Sequence, residues 1–220
     1  MTSTLRPEPI ETERLTLVPL RVEHAPEMAV VLSDPALHGF IGGTPETEEQ
    51  LRVRYTRMVG GSSDPEVSWC NWVLSFRTEG AEGAEGAGGT EGWRGGEGRT
   101  EGWRGGEGTL AGTVQATVTS AGPDSAPGQG AVAEIAWVVG TPWQGHGLAS
   151  EAARGLVRWL EARGVGTVVA HIHPEHQTSA AVARACGLAP TDTWHDGEVR
   201  WQRRLGGPVG EREAGQRASD

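Results

Sequence analysis

Gln144-Gly145-His146-Gly147-Leu148-Ala149 stands between a strand-like segment and a helix-like segment, and this junction decides the fold. Glycine has no Cβ atom, so the backbone amides at Gly145 and Gly147 can approach a bulky anion closely. The first amides of a helix lack an intrahelical partner and lie at the positive end of the helix dipole. Together these features predict a cradle for a diphosphate group.

The segments around this junction have the periodicity of regular structure. Residues 133–139 are typical of a strand, and Leu148 to Arg163 is typical of a helix that ends at Gly164. The spacing predicts that 109–118 pairs antiparallel with 133–139. The other predicted elements are strands at 14–20, 69–76, 167–172, 191–195 and 198–203, and helices at 23–32, from Thr44 to 58, and at 178–186.

The chain divides into one domain and three segments of a different kind. Residues 1–10 are predicted to be a flexible arm, and 11–205 a single domain. An insertion at 78–108 interrupts the domain with Glu-Gly-Ala triplets and a duplicated Thr-Glu-Gly-Trp-Arg-Gly-Gly-Glu-Gly string. Its composition cannot bury enough apolar surface to offset the entropy of ordering, so a disordered loop is expected. The same reasoning predicts a disordered tail at 206–220.

Composition excludes several classes of protein. The formal charge is 19 − 29 = −10, whereas a nucleic-acid surface needs a dense cationic face. No segment is as long and apolar as a membrane span, and the first twenty residues lack a signal core. Cys70 and Cys186 are expected to be reduced thiols, which fits a cytoplasmic protein.

Other phosphate-binding sequences fit the junction less well. Gly145-x-Gly147-x-x-Ser150 lacks the third glycine of a dinucleotide fingerprint, and the chain has no lysine for a P-loop. By contrast, Gln144-x-x-Gly147-x-Ala149 resembles the Gln/Arg-x-x-Gly-x-Gly/Ala signature of the GNAT acetyltransferases. Glu134-Ile135-Ala136-Trp137, Ser150-Glu151-Ala152 and the opening string Glu11-Thr12-Glu13-Arg14-Leu15-Thr16-Leu17 are similar to the branch that acetylates ribosomal proteins.

The resemblance covers about residues 10–77 and 109–205. It implies a mixed α/β (α+β) fold, with a mainly antiparallel sheet of six to seven strands, splayed in the middle, and helices on both faces. It also implies acetyl-CoA or CoA as cosubstrate, without a metal, and an amine-bearing acceptor such as a protein N-terminus or a small molecule. Dimerisation is common in the family, so a homodimer is left open.

The resemblance also assigns roles to residues near the junction. The diphosphate of CoA is expected on the amides from Gly145 to Ala149, and its pantetheine arm beside the strand at 133–139. The expected cofactor-binding residues are Ile135, Trp137, Val138, Val139, Gln144, Gly145, His146, Gly147, Leu148, Ala149 and His176.

Two catalytic residues are expected. Glu134 is the candidate general base, because an amine must lose a proton before it attacks. Ser179 is the candidate hydrogen-bond donor to the thiolate, in a stretch where the ribosomal branch has Asn-x-x-Ser and this chain has His176-Gln177-Thr178-Ser179. Many relatives instead have a tyrosine in this helix, where position 183 is alanine, and the only tyrosine is Tyr55.

Alternative interpretations remain open at this point. His171, His173 and either Glu175 or His176 could bind a metal, although their spacing matches no standard zinc pattern. The chain could bind CoA without transferring acetyl, or it could act as an interaction module through Trp93 and Trp103 of the insertion. Trp69 and Trp72 could line an acceptor pocket.

Overall fold

Eight strands form one sheet in the computed structural model, which describes residues 4–77, 106, 108–120 and 130–206. The strands are β1 (Ile10–Glu11), β2 (Leu15–Pro19), β3 (Val67–Phe76), β4 (Leu110–Thr119), β5 (Ala131–Val139), β6 (Val165–Ile172), β7 (Ala189–His195) and β8 (Glu198–Arg204). Their order is β1-β2-β3-β4-β5-β6-β8-β7. Neighbours are antiparallel except for β5 and β6, which are parallel.

Helices cover both faces of the sheet, as predicted. They are α1 (Ala25–Val31), α2 (His38–Ile41), α3 (Glu48–Gly60), α4 (Leu148–Glu161) and α5 (Gln177–Ala185). Successive residues of a strand point to opposite faces, and the neighbours Trp72 and Val73 belong to different core clusters. Trp72 packs with the buried residues of α4 and α5, whereas Val73 packs with those of α1 and α3.

Three local predictions differ from the structure. The sheet has eight strands rather than six or seven, because the two-residue β1 pairs with β2. The flexible arm predicted at residues 1–10 is instead attached at its described end, where Leu5 N donates to Ser68 Oγ and Glu8 O accepts from Trp72 Nε1. The predicted start of the second helix at Thr44 is wrong, because α3 begins at Glu48, after Thr47.

The true cap of α3 is explained by the residue three positions after it. Thr47 Oγ1 accepts from Gln50 N at 3.3 Å, and Gln50 Oε1 accepts from Thr47 N at 2.8 Å. This reciprocal capping box satisfies two amides that the helix leaves without partners.

Apart from positions 106, 108 and 206, the predicted insertion (78–108) and tail (206–220) lie outside the described residues, as do Trp93 and Trp103.

The sheet splits between its two parallel strands. β5 and β6 pair only from Ala131 with Val165 to Glu134 with Val169. Beyond Glu134, β5 stays paired with β4 as far as Val139, while β6 stays paired with β8 as far as Ile172. The two halves of the sheet therefore separate past Glu134, as the resemblance implies.

Helix α4 crosses the sheet close to its first strands. Its apolar face is buried and includes Leu148, Ala152, Leu156 and Leu160. A Cβ atom at Gly155 would lie 2.9 Å from Thr12 Cγ2, so this glycine allows the helix to approach the β1–β2 turn. That approach brings the start of α4, with the cradle sequence before it, next to the opening strands.

Candidate functional site

The predicted cradle is a sharp turn that leads directly into α4. Gly147 is the N-cap in the left-handed conformation, with φ of 75°, and Gly145 has φ of 78°. Neither value is easily adopted by a residue with a Cβ atom. Gly147 offers no side-chain cap, so the first amides of α4 have no side-chain acceptor. Amides that point away from the helix start in this way suit an anion such as a diphosphate.

Gln144 and Leu148 have more limited roles than their positions suggest. Gln144 Nε2 donates to Val139 O at 3.0 Å, which ties the turn to the end of β5. Leu148 is buried in the main core, so only its backbone can face a ligand. These two residues build the turn, in which Gly145, His146 and Gly147 are exposed.

A buried carboxylate that the sequence analysis did not select fastens the helix behind the cradle. Glu151 Oε1 accepts from Thr12 Oγ1 at 2.6 Å and from Arg14 N at 2.7 Å. Its Oε2 accepts from Arg14 Nε and Nη2, both at 2.7 Å. Burial raises the pKa of Glu151, but the hydrogen bonds from Thr12 and Arg14 and the charge of Arg14 outweigh it, so the net shift is downward.

Arg14 also reaches the cradle itself. Its Nη1 donates to the carbonyl oxygen of His146 at 3.0 Å, and its Nη2 lies 3.8 Å from the position of a Cβ at Gly147. Arg14 and Glu151 belong to two separated strings that resemble the same family, and the structure brings them into contact. No local sequence pattern predicts a contact between residues that are 137 positions apart, although each of the two family-like strings could be identified by itself.

Two cavities follow the split between β5 and β6, and they share part of their lining. The first measures about 340 Å³ and opens toward the cradle, with Val139, Gln144 and Ala149 in its wall. The second measures about 390 Å³ and contains Glu134 and Ile135. Both are lined by Trp137, Val138, His176 and Ser179. A ligand that follows the split would therefore contact β5 on one side and α5 on the other.

Glu134 stands at the point where the strands separate. Its Oε1 lies 3.0 Å from His171 Nδ1 across the split, and its side chain is 55% exposed, against 15% for His171. An exposed carboxylate held by a more buried imidazole can accept a proton from a ligand in the cavity. The sequence analysis selected Glu134 as the candidate base without naming a partner for it, and the structure pairs it with His171.

His176 and Ser179 begin helix α5. His176 is the N-cap, and its Nδ1 accepts from Ser179 N at 3.4 Å, so it takes the capping role for which asparagine is suited. Burial, followed by the charge of His173, lowers the pKa of His176, which favours the neutral ring. With Nδ1 as an acceptor, the proton of that neutral ring is on Nε2.

Several alternatives do not fit the geometry. Tyr55 is buried in the core cluster of α1 and α3, away from the split. Burial also raises its pKa to about 12. Trp72 is fully buried and cannot line an acceptor pocket, while Trp69 borders a depression that shares Arg54 and Gln115 with the second cavity. Among the described residues, no group of three His, Cys, Asp or Glu side chains could hold a metal ion.

Two further expectations concern the cysteines and the membrane. Cys70 and Cys186 are free and buried, and burial raises the pKa of each thiol to about 11. In the part of the chain that the structure describes, no helix has the length and apolar character needed to cross a membrane.

Comparisons with solved structures show the same fold. An acetyltransferase from Agrobacterium tumefaciens is 19% identical, with a TM-score of 0.56, over 92% of this chain and 98% of that one. RimL, a ribosomal L7/L12 alpha-N-protein acetyltransferase in complex with coenzyme A, is 16% identical, with a TM-score of 0.59, over 90% and 98% of the two chains. The self-immunity acetyltransferase MccE, in complex with acetyl-CoA and AMP, is 12% identical, with a TM-score of 0.57, over 88% and 93%.

Sequence comparisons agree at the level of the family. No curated protein matches the chain. The family model described as an acetyltransferase (GNAT) domain matches residues 14–189, which include β2, the cradle and the split. The chain therefore belongs to the GNAT acetyltransferase family.

Proposed function

We propose that the protein transfers an acetyl group from acetyl-CoA to a primary amine. The observation that carries this proposal is the split between β5 and β6, along which lie the anion cradle, two cavities with shared lining residues and the carboxylate of Glu134. Acetyl-CoA would supply the acetyl group as a thioester. Two of the structural relatives are in complex with CoA or acetyl-CoA.

The residues at the split fit the parts of CoA. The amides from Gly145 to Ala149 would bind the diphosphate, with Gly147 and the dipole of α4 favouring negative charge. Past Glu134, the edge of β5 that faces β6 has no strand partner in the described residues. Its backbone groups, from Ile135 to Val139, are therefore suited to hydrogen bonds with the amides of a pantetheine arm.

The catalytic roles follow from the two cavities. An acceptor amine in the second cavity would give its proton to Glu134, which His171 holds in position. The neutral amine nitrogen would then form a bond to the acetyl carbon as the bond to sulfur breaks, and the second proton that the nitrogen loses would pass to the departing thiolate. Ser179 lines both cavities and would donate a hydrogen bond to the departing sulfur. His176 would hold the start of α5 in place beside it.

The acceptor would be a protein N-terminus or a small amine. One of the relatives, RimL, is described as an alpha-N-protein acetyltransferase, which makes a protein N-terminus a natural first candidate. The net charge of −10 is compatible with a cationic acceptor. Action in the cytoplasm, where acetyl-CoA is available, is part of this proposal.

A CoA-binding protein without transferase activity is the second candidate. The observation that favours it is the absence of a tyrosine at the split, since position 183 is a buried alanine and Tyr55 lies in the other core cluster. In that case Ser179 would not support transfer, although the cradle would still bind CoA.

An acetyl-transfer assay separates these two candidates. The purified protein is incubated with acetyl-CoA and a panel of amines that includes N-terminal peptides and polyamines, and release of free CoA thiol is followed. Thiol release that depends on one class of amine, with a mass increase of that amine, supports the transferase. CoA binding without release across the panel would support the second candidate.

A further inference from the structure

The guanidinium of Arg14 lies where it can act on the cradle, although it comes from the opposite end of the sequence. Three of its five N–H bonds are used within the described residues: Nε and one of Nη2 bond Glu151, and one of Nη1 bonds the carbonyl of His146. The side chain is still 46% exposed. One N–H on each terminal nitrogen is left to point toward solvent or a ligand.

Its anchorage distinguishes Arg14 from an ordinary surface arginine. Glu151 is only 8% exposed at its side chain and accepts two further hydrogen bonds, from Thr12 Oγ1 and Arg14 N. An arginine held side-on by a buried carboxylate loses little further entropy when it binds a second anion. Glu151 therefore fixes the orientation of the guanidinium.

The location of this charge also favours an anion. Arg14 stands beside the N-terminus of the fourteen-residue helix α4. The helix dipole is positive there, so the positive charge of the guanidinium is unfavourable at this place unless an anion is near. Glu151 offsets part of this unfavourable charge from behind the first turn. An anion on the cradle would be attracted by the remaining charge of both the helix and the arginine.

We propose that Arg14 is a positioning and binding residue of the diphosphate site: Glu151 anchors it, it fixes the His146–Gly147 turn, and it faces the diphosphate with its remaining N–H groups. This inference rests on the proposed function, because it assumes that CoA occupies the cradle. It adds a side chain to a site that otherwise consists of backbone amides. It also gives the contact between the two family-like strings a role in binding.

Calorimetric titration of CoA and of 3′-dephospho-CoA tests this assignment. Arg14→Ala should weaken binding of both compounds by the same factor, roughly tenfold, because both carry the diphosphate. Arg14→Lys should recover part of the loss, since it restores the charge without the planar fork. Arg52→Ala is the matched control, because Arg52 is 45% exposed and also pairs with a glutamate, but lies on α3.

Salt dependence separates a charge contact from a structural effect. Raising the salt from about 50 to about 300 mM should weaken CoA binding less in Arg14→Ala than in the wild type, because one screened charge is gone. Arg14→Ala leaves the buried Glu151 without its positively charged partner, so Arg14→Ala/Glu151→Gln is titrated beside it. The melting temperature of each variant is measured first. The double variant should show the same loss of affinity and of salt dependence.

Each outcome decides the proposal. The proposal is supported if the Arg14 variants lose the same factor of affinity for both compounds and their affinity for CoA depends less on salt. Wild-type affinity in the Arg14 variants overturns it, as does a loss for CoA alone, which would place Arg14 at the 3′-phosphate. A loss with unchanged salt dependence also overturns it, because the effect would then be structural. If the wild-type protein binds neither compound, the proposed function fails together with this inference.

Discussion

Glu134 Oε1 and His171 Nδ1 lie 3.0 Å apart across the split between β5 and β6. Glu134 is the last residue of β5 that pairs with β6, and His171 lies two residues beyond its partner Val169. The contact therefore spans the first step at which the strands diverge. It holds the candidate base at the mouth of the second cavity, where an acceptor amine would meet it.

Replacing the candidate base should slow acetyl transfer without changing the affinity for CoA. Glu134→Gln removes the proton acceptor but keeps the size of the side chain, so we expect a fall in kcat of about 10²-fold to 10⁴-fold. The deficit should be greatest at low pH, where less of the amine is neutral. Steady-state kinetics across pH, with CoA affinity measured separately, provide the test.

Glu198→Gln is a control for this experiment, since Glu198 lines the same cavity without bonding His171. It should lower the rate much less than Glu134→Gln does. An unchanged pH–rate profile in Glu134→Gln would mean that another group removes the proton.

The pairing of Glu134 with His171 should appear as non-additive kinetics. If His171 acts only by orienting Glu134, His171→Asn should slow the wild type but have little further effect in Glu134→Gln. A double-mutant cycle on kcat measures this coupling. Additive losses would show that His171 contributes independently of Glu134.

The histidine cap of α5 should be replaceable by asparagine. His176→Ala removes the side chain that accepts from Ser179 N, and should lower the free energy of unfolding by about 1 kcal/mol. His176→Asn should retain most of that stability, because asparagine is a strong N-cap residue. Denaturant unfolding of the two variants provides the comparison, and equal losses would show that His176 does not stabilise α5 as a cap.

Glu151 should make stability depend on pH on the acid side. Its folded-state pKa lies below the ordinary value of 4.5, so its contribution is fully present above that value and is lost as the pH falls through the folded pKa. Glu151→Gln should therefore lower the free energy of unfolding at pH 7 by about 2 kcal/mol. The cost should be smaller at pH 3.

Unfolding curves at pH 7 and pH 3 measure the difference for Glu151→Gln. Glu48→Gln is a matched control, since Glu48 also pairs with an arginine but its side chain is 51% exposed. Surface pairs contribute little, so its cost should be small at both pH values. An equal cost of Glu151→Gln at both pH values would contradict the account.

The sequence predicted those parts of the fold that depend on local signals. The glycine turn before α4 and the start of α4 at Leu148 both lie where residue type alone specifies the backbone. The start of α3 was placed at Thr44 instead of Thr47, although Thr47 is followed three residues later by Gln50, a capping-box pattern that Thr44 lacks. The strand β1 was missed because it is defined by pairing with β2, which a two-residue segment does not reveal.

The candidate site shows the same limit. Gln144 and Gly147 could be identified from one short stretch, whereas the contact between Arg14 and Glu151 joins residues far apart in sequence. His171 was considered as a metal ligand because histidines cluster in its segment. Its actual neighbour, Glu134, is set by the register of β5 and β6, which no local pattern encodes.

The central claim is that the turn before α4 binds CoA, and titration of CoA into glycine variants tests it most directly. Gly147 and Gly164 have φ of 75° and 76° at opposite ends of α4, so valine costs a similar backbone strain of about 1–2 kcal/mol at either position. We expect Gly147→Val to weaken CoA binding at least about tenfold and Gly164→Val to bind like the wild type. Equal affinity in all three proteins, or no binding by the wild type, would contradict the account.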